Sequence, residues 1–591
     1  MYLFTYSRTT EAFSAFILEA IVQLRSWSTL AMIIATISGN GIAQTTVGPQ
    51  QTQGIDRIFE KWNRPGSPGC AVAVMQNGQI IYKHGYGMAD LEHGARITPS
   101  TPFHVASVSK QFTAAAIVLL AQAGKVSVDD DVRKYIPELP DYDWHITLRN
   151  LLHHTSGLRD QWDLLDLAGW RYSLDLITNQ DVLDVVTRQK ELNFPPGDRF
   201  LYSNTGFTLL GEIVKRVSGK SLREFTSERI FGPLGMSRTH FRDDHAELIK
   251  GEAYGYAPAQ KSGWRLSGTN FSTVGATSLF TTVEDLSRWD ENFYQPRVGG
   301  PHFREQMLHR DKLNNGQLWN YAFGLILGSY RGLPTVEHAG EDAGYRAILI
   351  RFPDQHFSIA CLCNAGPDAS PGLLAREVAD RFLANQYRES PPPSKFPELP
   401  EQQLQQLAGS YWDPKTDWVG IITLKKGSRQ LILRPDPVPL QPIAPDVFRV
   451  PDSGVDIHFT MPNGKNPVRA QATSEYSMPQ TFEMLPSFTL QPDVIPEYLG
   501  SYRSDEIEPI YNLISDQGTL ILRRLKHGPE VLEAVAPDLF VTDLGTVRFF
   551  RNSQHRVAGM LLSTDRVYKL RLTKEATETP NVRAGGPSGA Q

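Results

Sequence analysis

Phe103-His-Val-Ala-Ser-Val-Ser-Lys-Gln-Phe112, set directly before the apolar run Thr113–Leu120, is the stretch from which the rest of the chain can be read. Ser107 and Lys110 are three apart, so on a helix their side chains share a face and can meet. A serine hydroxyl is a poor nucleophile until a base removes its proton. A lysine amine can be that base when burial or a nearby cation lowers its pKa. A serine at a helix start also receives N–H dipoles where an oxyanion would form. Alone, Ser-x-x-Lys arises about once or twice by chance in a chain this long. A capping serine beside a solvated lysine has the same spacing.

Two further segments give the pair its meaning. Tyr202 follows Lys110 after 92 residues, in Phe194-Pro-Pro-Gly-Asp-Arg-Phe-Leu-Tyr-Ser-Asn-Thr-Gly206. Tyr202 and Asn204 are i, i+2, so in an extended segment both face one cleft. A phenol can donate or accept a proton, and an amide can fix a carbonyl. After another 136 residues comes Val336-Glu-His-Ala-Gly-Glu-Asp-Ala-Gly344. His338 followed by Gly340 predicts a strand with one polar side chain and a backbone that a substrate can approach closely.

The order Ser-x-x-Lys, Tyr-x-Asn, His-x-Gly resembles the penicillin-recognising serine hydrolases: class C β-lactamases, DD-peptidases, D-aminopeptidases and related esterases. Leu148-Arg-Asn-Leu-Leu-His-His-Thr-Ser-Gly-Leu158, Leu209-Leu-Gly-Glu-Ile213 with Pro233-Leu-Gly-Met236, and Gly275-Ala-Thr-Ser-Leu-Phe-Thr-Thr-Val-Glu-Asp-Leu286 resemble the family's connecting segments. The likeness runs from about Gly54 to about Leu383. It implies Ser107 as acylated nucleophile, Lys110 as its activating partner, Tyr202 as proton relay and Asn204 as a substrate holder. The division of base duty between Lys110 and Tyr202 stays open. It further implies an oxyanion hole from the backbone N–H groups of Ser107 and Glu341, beside His338 and Gly340. By the same likeness His153 and His154 read as helix packing, and Asp129–Asp131 as a solvated cap. No cofactor or metal is implied.

The expected architecture is α+β. Gly69–Met75, a Gln76-Asn-Gly78 turn and Gln79–Tyr82 form one hairpin pattern, and Arg346–Phe352 with Phe357–Leu362 form another. Helical stretches between them (Lys110–Ala123, Leu209–Ser218, Val283–Phe293) predict an antiparallel sheet from both ends of the region, with a helical insert. Beyond Glu389-Ser-Pro-Pro-Pro-Ser394 the chain repeats itself. Leu407-Ala-Gly-Ser-Tyr-Trp412 is echoed by Tyr498-Leu-Gly-Ser-Tyr-Arg503, Gln430–Arg434 by Thr519–Arg523, and Ile443–Phe448 by Val535–Phe540. Each copy is long enough for about eight short antiparallel strands, closing as a small, lipocalin-like barrel. The division read from the sequence is a signal peptide at 1–43, a β-lactamase-like domain at 44–388, a Pro-rich linker at 389–400, barrels at 401–490 and 491–575, and a disordered tail at 576–591.

Arg25, the apolar run Leu30–Ile37 and the small-residue segment to Ala43 have the layout of a secretory signal, so a periplasmic or secreted protein is expected. That core is too short to span a bilayer. The 591 residues carry a net charge of −5, with 41% hydrophobic residues, which leaves no general footprint for nucleic acid. Cys70, Cys361 and Cys363 are too few for a disulfide framework or a Cys-rich zinc module. They read first as small core residues, with a bridge from Cys70 to one of the other two left open.

The third motif bears on substrate. Where the resemblance leads one to expect Lys-Thr-Gly, this chain has His338-Ala339-Gly340, followed by Glu341 and Asp342. Such a site should hold a free carboxylate less well and a cationic amine better. A penicillin-recognising domain followed by two related barrels resembles the D-aminopeptidases, in which the barrels flank the catalytic domain and one contributes a loop at the active-site mouth. This implies a small peptide, D-amino-acid amide or ester as partner, with a homodimer left open. The favoured reading is a D-amino-acid-directed aminopeptidase or amidase. Its alternatives are an esterase, weak β-lactamase or DD-carboxypeptidase, and, from another class, a cell-wall or partner-binding protein.

Overall fold

A computed structural model describes residues 47–389, 399–434, 437–451, 455–460, 468–474 and 478–575, all within one packed unit. The expected signal, most of the Pro-rich linker and the tail lie outside the described residues.

Six antiparallel strands form the central sheet: β1 (Cys70–Gln76), β2 (Gln79–Tyr86), β3 (Ile326–Tyr330), β4 (Leu333–Asp342), β5 (Tyr345–Phe352) and β6 (Phe357–Cys363). Their order is β3-β4-β5-β6-β1-β2, so strands from both ends of the region share one sheet. Asn77 and Gly78 both have positive φ, the conformation that a two-residue hairpin demands, which is why this dipeptide marks the β1–β2 turn.

Alternation along the strands gives the sheet two buried faces. Val72, Val74, Ile348 and Ile350 pack against Ile55 and Phe59 of helix α1 (Pro49–Phe59) and against Val378 of a C-terminal helix, Pro371–Leu383. Ala71, Ala73, Ala347 and Leu349 face the helical insert, which contains α2 (Lys110–Gln122) and α3 (Asn204–Ser218). The α2 sequence is apolar all round because nearly every one of its side chains is buried.

All three cysteines lie on the α1 side of the sheet, and Cys70 is disulfide-bonded to Cys363, its cross-strand partner. Of the readings left open for the cysteines, the bridge from Cys70 is the one present, and all three residues are buried in the core. Only Cys361 keeps its thiol, since its side chain is offset by two strand positions from the bridge.

The duplicated tail forms two antiparallel barrels. The second is a closed eight-stranded barrel. The first places nine strand segments in one sheet, whose end segments, Val438–Pro439 and Gln441–Ala444, are separated only by Leu440, so the chain itself closes the ring. The repeated Gly-Ser-Tyr motif has a physical basis. Tyr411 donates its hydroxyl to Leu407 O at 2.9 Å, and Tyr502, its equivalent, donates to Tyr498 O at 2.5 Å. In both repeats the tyrosine ties the first strand to the end of the short helix before it.

The second barrel is continuous with the core of the region before the linker: its buried apolar residues belong to the same cluster as those of the helical insert. Arg159, buried in the insert, donates to Glu506 of the barrel at 2.7 Å. Tyr511 donates to Leu167 O, and Arg524 to Asp166 O, both at 2.7 Å.

Candidate active site

Strand β4 and the start of α2 meet at Gly340. A Cβ added to this glycine would lie 2.1 Å from Val105 O and 3.1 Å from Ser107 N, so only a bare backbone fits. On its other side the segment Val105–Ser107 is bent: Ala106 has φ 47°, a left-handed conformation uncommon for alanine. A 3₁₀ turn, Ala106–Ser109, then runs straight into α2. In such a turn residues three apart eclipse, which sets Lys110 over Ser107.

Lys110 is fully buried. Its Nζ donates to Ser107 Oγ at 2.9 Å, to Asn204 Oδ1 at 2.8 Å and to Ala276 O at 2.9 Å. It also sits 4.8 Å from the centroid of the Tyr202 ring. Burial is the main force on this amine and lowers its pKa to about 7, against the pull of Asp342 and Asp160 and with the help of Arg566.

Tyr202 packs on His154, their ring centroids 4.2 Å apart and the rings tilted by 35°, and its hydroxyl is buried facing Ser107. Burial pushes this phenol far above its ordinary pKa, so it enters as a proton donor. His154 earns its place by this packing and by accepting from Ser203 N at 3.1 Å, while His153 Nδ1 bonds to Tyr321 O at 2.8 Å. Both imidazoles serve the fold.

Asn204 opens α3, and its orientation is fixed. Its backbone N and its Nδ2 both donate to Asp160 Oδ2, at 2.6 and 2.9 Å. The amide oxygen is thereby turned to Lys110. Asp160 carries no sequence signal, because its partner lies 44 residues away.

The third motif differs from its expected chemistry. His338 is buried; Nδ1 lies 2.6 Å from Ala339 O, and Nε2 lies 2.9 Å from the Tyr321 hydroxyl. A carbonyl cannot donate, so Nδ1 carries the proton and Nε2 accepts from Tyr321. Burial, with the nearby Lys110 charge, brings the imidazole pKa down to about 3. The ring is neutral, not a titrating cation.

Nor is the Asp342 carboxylate free for an amine, whereas Glu341 is largely exposed and lines the cleft. Asp342 is buried and accepts from His104 Nε2 at 2.8 Å and from the hydroxyls of Thr277 and Tyr172. Burial opposes its charge, yet these bonds hold its pKa below the usual carboxylate range. Glu341 points the other way along β4 and pairs with Arg346 at 2.5 Å. The two acids alternate across the strand, which is why adjacency in sequence misled.

Ser107, Tyr202, Asn204, His338, Gly340 and Glu341 all line one cleft of about 1640 Å³. Trp162 and Tyr172 form an aromatic wall, and the cleft reaches Arg449 and Thr473 of the first barrel and Arg566 of the second. Sequence reasoning missed Arg566, Asp160 and Tyr321, whose roles rest on long-range packing.

Residues 55–383 match the family model described as Beta-lactamase. The chain is 30% identical over 351 residues to Penicillin-binding protein 4* of Bacillus subtilis, covering 57% of this chain and 77% of that one. It is 27% identical over 355 residues to a D-aminopeptidase of Gluconobacter oxydans, covering 60% of this chain but 64% of the relative, just under two thirds. The solved octameric penicillin-binding protein homologue from Pyrococcus abyssi shares the fold, with TM-score 0.53, 22% identity, and 73% of this chain and 99% of that chain covered.

Proposed function

This chain belongs to the beta-lactamase family of serine hydrolases, and from that premise we propose that it cleaves an amide or ester through an acyl-Ser107 intermediate. The observation that carries the reading is the 2.9 Å contact between a buried, easily deprotonated Lys110 amine and Ser107 Oγ. Lys110 takes the hydroxyl proton as Oγ bonds to the substrate carbonyl carbon. The bent turn and the close approach of Gly340 set the N–H groups of Ser107 and Glu341 to receive the oxyanion. Tyr202, a protonated phenol, supplies the leaving group's proton as the carbonyl–leaving-group bond breaks. Water then releases the acyl group by the reverse route. In acylation the base is Lys110, since the Tyr202 phenol is protonated. In deacylation the Tyr202 phenolate takes the proton of the attacking water, and Lys110 returns its proton to Ser107 Oγ.

The favoured substrate is a D-amino-acid amide, peptide or ester. The D-aminopeptidase relative supports it. So does the neutral His338, which offers no charge to a free carboxylate. The amine-binding role expected of Asp342 has no support, as three donors engage it within the protein. Glu341, exposed at the cleft, keeps that role within the proposal. An exported location is part of the proposal, favoured by the Cys70–Cys363 bridge. No helix among the described residues is long and apolar enough to cross a membrane.

A serine-directed fluorophosphonate should form one adduct, on Ser107, and Ser107→Ala should abolish it. Turnover of D-alanine p-nitroanilide, p-nitrophenyl acetate and a chromogenic cephalosporin then separates the substrates. Fast cephalosporin turnover with none of the D-amide would overturn the favoured one.

A further inference from the structure

Arg566 lies 406 residues beyond Asp160, in the turn between the second-barrel strands Val557–Ser563 and Leu570–Lys574, yet it lines the cleft that holds Ser107. The turn is fastened to the catalytic wall at several points. Asp160 N donates to Arg566 O at 3.2 Å, and Asn193 Nδ2 donates to the same oxygen at 2.9 Å. Tyr568 N donates to Asn193 Oδ1 at 2.8 Å. Arg566 N and the Thr564 hydroxyl donate to Asp163 Oδ2, at 3.0 and 2.5 Å.

The guanidinium spans two carboxylates, with 3.4 Å from each of its terminal nitrogens to Asp160 Oδ2 and to Asp163 Oδ1. Asp160 is entirely buried and accepts from Trp162 N, Asn204 N and Asn204 Nδ2. Those donors are neutral, so Arg566 is the cation that offsets the Asp160 charge. Burying a carboxylate without its counter-ion is costly, and a charged Asp160 stripped of Arg566 would shift from its place. That shift would release the Asn204 amide, whose oxygen holds Lys110 at 2.8 Å.

We propose that Arg566 is a positioning residue for acyl transfer: by countering Asp160 it fixes Asn204, which holds Lys110 against Ser107. The inference rests on the acyl-serine reading above. Its effect on Lys110 has a sign. The groups acting on the amine are the Asp160 and Asp342 carboxylates, the Arg566 cation, and the neutral His154, His338 and Tyr202. The carboxylates favour the ammonium and Arg566 opposes it. Removing Arg566 leaves the carboxylates unopposed, and Lys110 keeps its proton to higher pH. Removing the Asp160 charge does the reverse.

The test measures the rate of Ser107 phosphonylation by a small fluorophosphonate from pH 5 to 10, by intact mass, on the full chain. Such a probe needs no knowledge of the substrate. In Arg566→Met the acid limb should move up by roughly one pH unit, with labelling at pH 7 falling about fivefold. Arg566→Lys should stay near wild type, and Asp160→Asn should move the limb down. A scaffold defect would slow both Arg566→Met and Asp160→Asn without moving their limbs apart, and that result overturns the proposal. So does an unmoved limb in a folded Arg566→Met. If Arg566→Met does not fold, the Asp160→Asn limb decides alone, and an unmoved or raised limb overturns it. Absence of any adduct on wild type would instead remove the acyl-serine reading itself.

Discussion

The Nζ of Lys110 lies 2.9 Å from the Oγ of Ser107, although no part of the Lys110 side chain reaches solvent. A solvated lysine at this distance would be an ammonium at neutral pH and could accept nothing. Burial is what converts the contact into a base.

The pH profile follows from that burial. With the amine pKa near 7, the ammonium dominates below that pH and the free base above it. The kcat/KM for an ester substrate should therefore rise with pH along an acid limb centred near 7. Lys110→Arg keeps the cation at every accessible pH and should lose about 10²–10⁴-fold in activity. A profile flat from pH 5.5 to 8, or an active arginine variant, would remove Lys110 from the role of base.

Gly340 offers a purely steric test. A methyl group here would meet Val105 O at 2.1 Å, and that oxygen belongs to the bent turn that presents Ser107. The strand cannot retreat freely, since β4 is hydrogen-bonded to β5 along its length. Gly340→Ala should therefore displace the nucleophile turn and cost about 10²-fold in kcat, while the protein stays folded by circular dichroism. Wild-type turnover in this variant would mean that the turn relaxes without consequence.

Local spacing explains which parts of the site could be read in advance. Ser107 and Lys110 meet because a helical turn joins them, whereas Asn204, 94 residues beyond Lys110, was legible only through the resemblance of its Tyr-x-Asn segment. The Asn77-Gly78 turn and the Gly-Ser-Tyr repeat were equally legible, each needing only a few residues to act. Asp160, Tyr321 and Arg566 were not, since each acts on a partner brought close by packing of distant segments. The amine site expected at Asp342 was misread for another reason. Three donors occupy its carboxylate, and that is not written in the order of residues.

The joint between the catalytic region and the second barrel should be costly to open. Glu506 accepts from Arg159 at 2.7 Å and from Lys190 N at 2.8 Å, with both charged side chains almost wholly buried. Glu506→Gln leaves the Arg159 guanidinium uncompensated, and breaking such a pair from one side costs about 3–5 kcal/mol. Chemical denaturation should register that loss. A change below about 1 kcal/mol would place the pair among ordinary surface bridges.

The remaining prediction concerns the disulfide, which joins the first strand of the sheet to the last across 293 residues of chain. Closing so long a loop restricts the unfolded chain far more than the folded one, in which β1 and β6 are already paired. Replacing Cys70 and Cys363 together by alanine should cost about 2–5 kcal/mol by denaturant titration. The kinetics at Ser107 should change little, because the bridge lies on the sheet face opposite the helical insert. Alkylation supplies the independent check. Native protein should take up no reagent, and unfolded, unreduced protein should take up one equivalent, at Cys361. Three equivalents without reductant, from protein made in an oxidising compartment, would show that the bridge does not form.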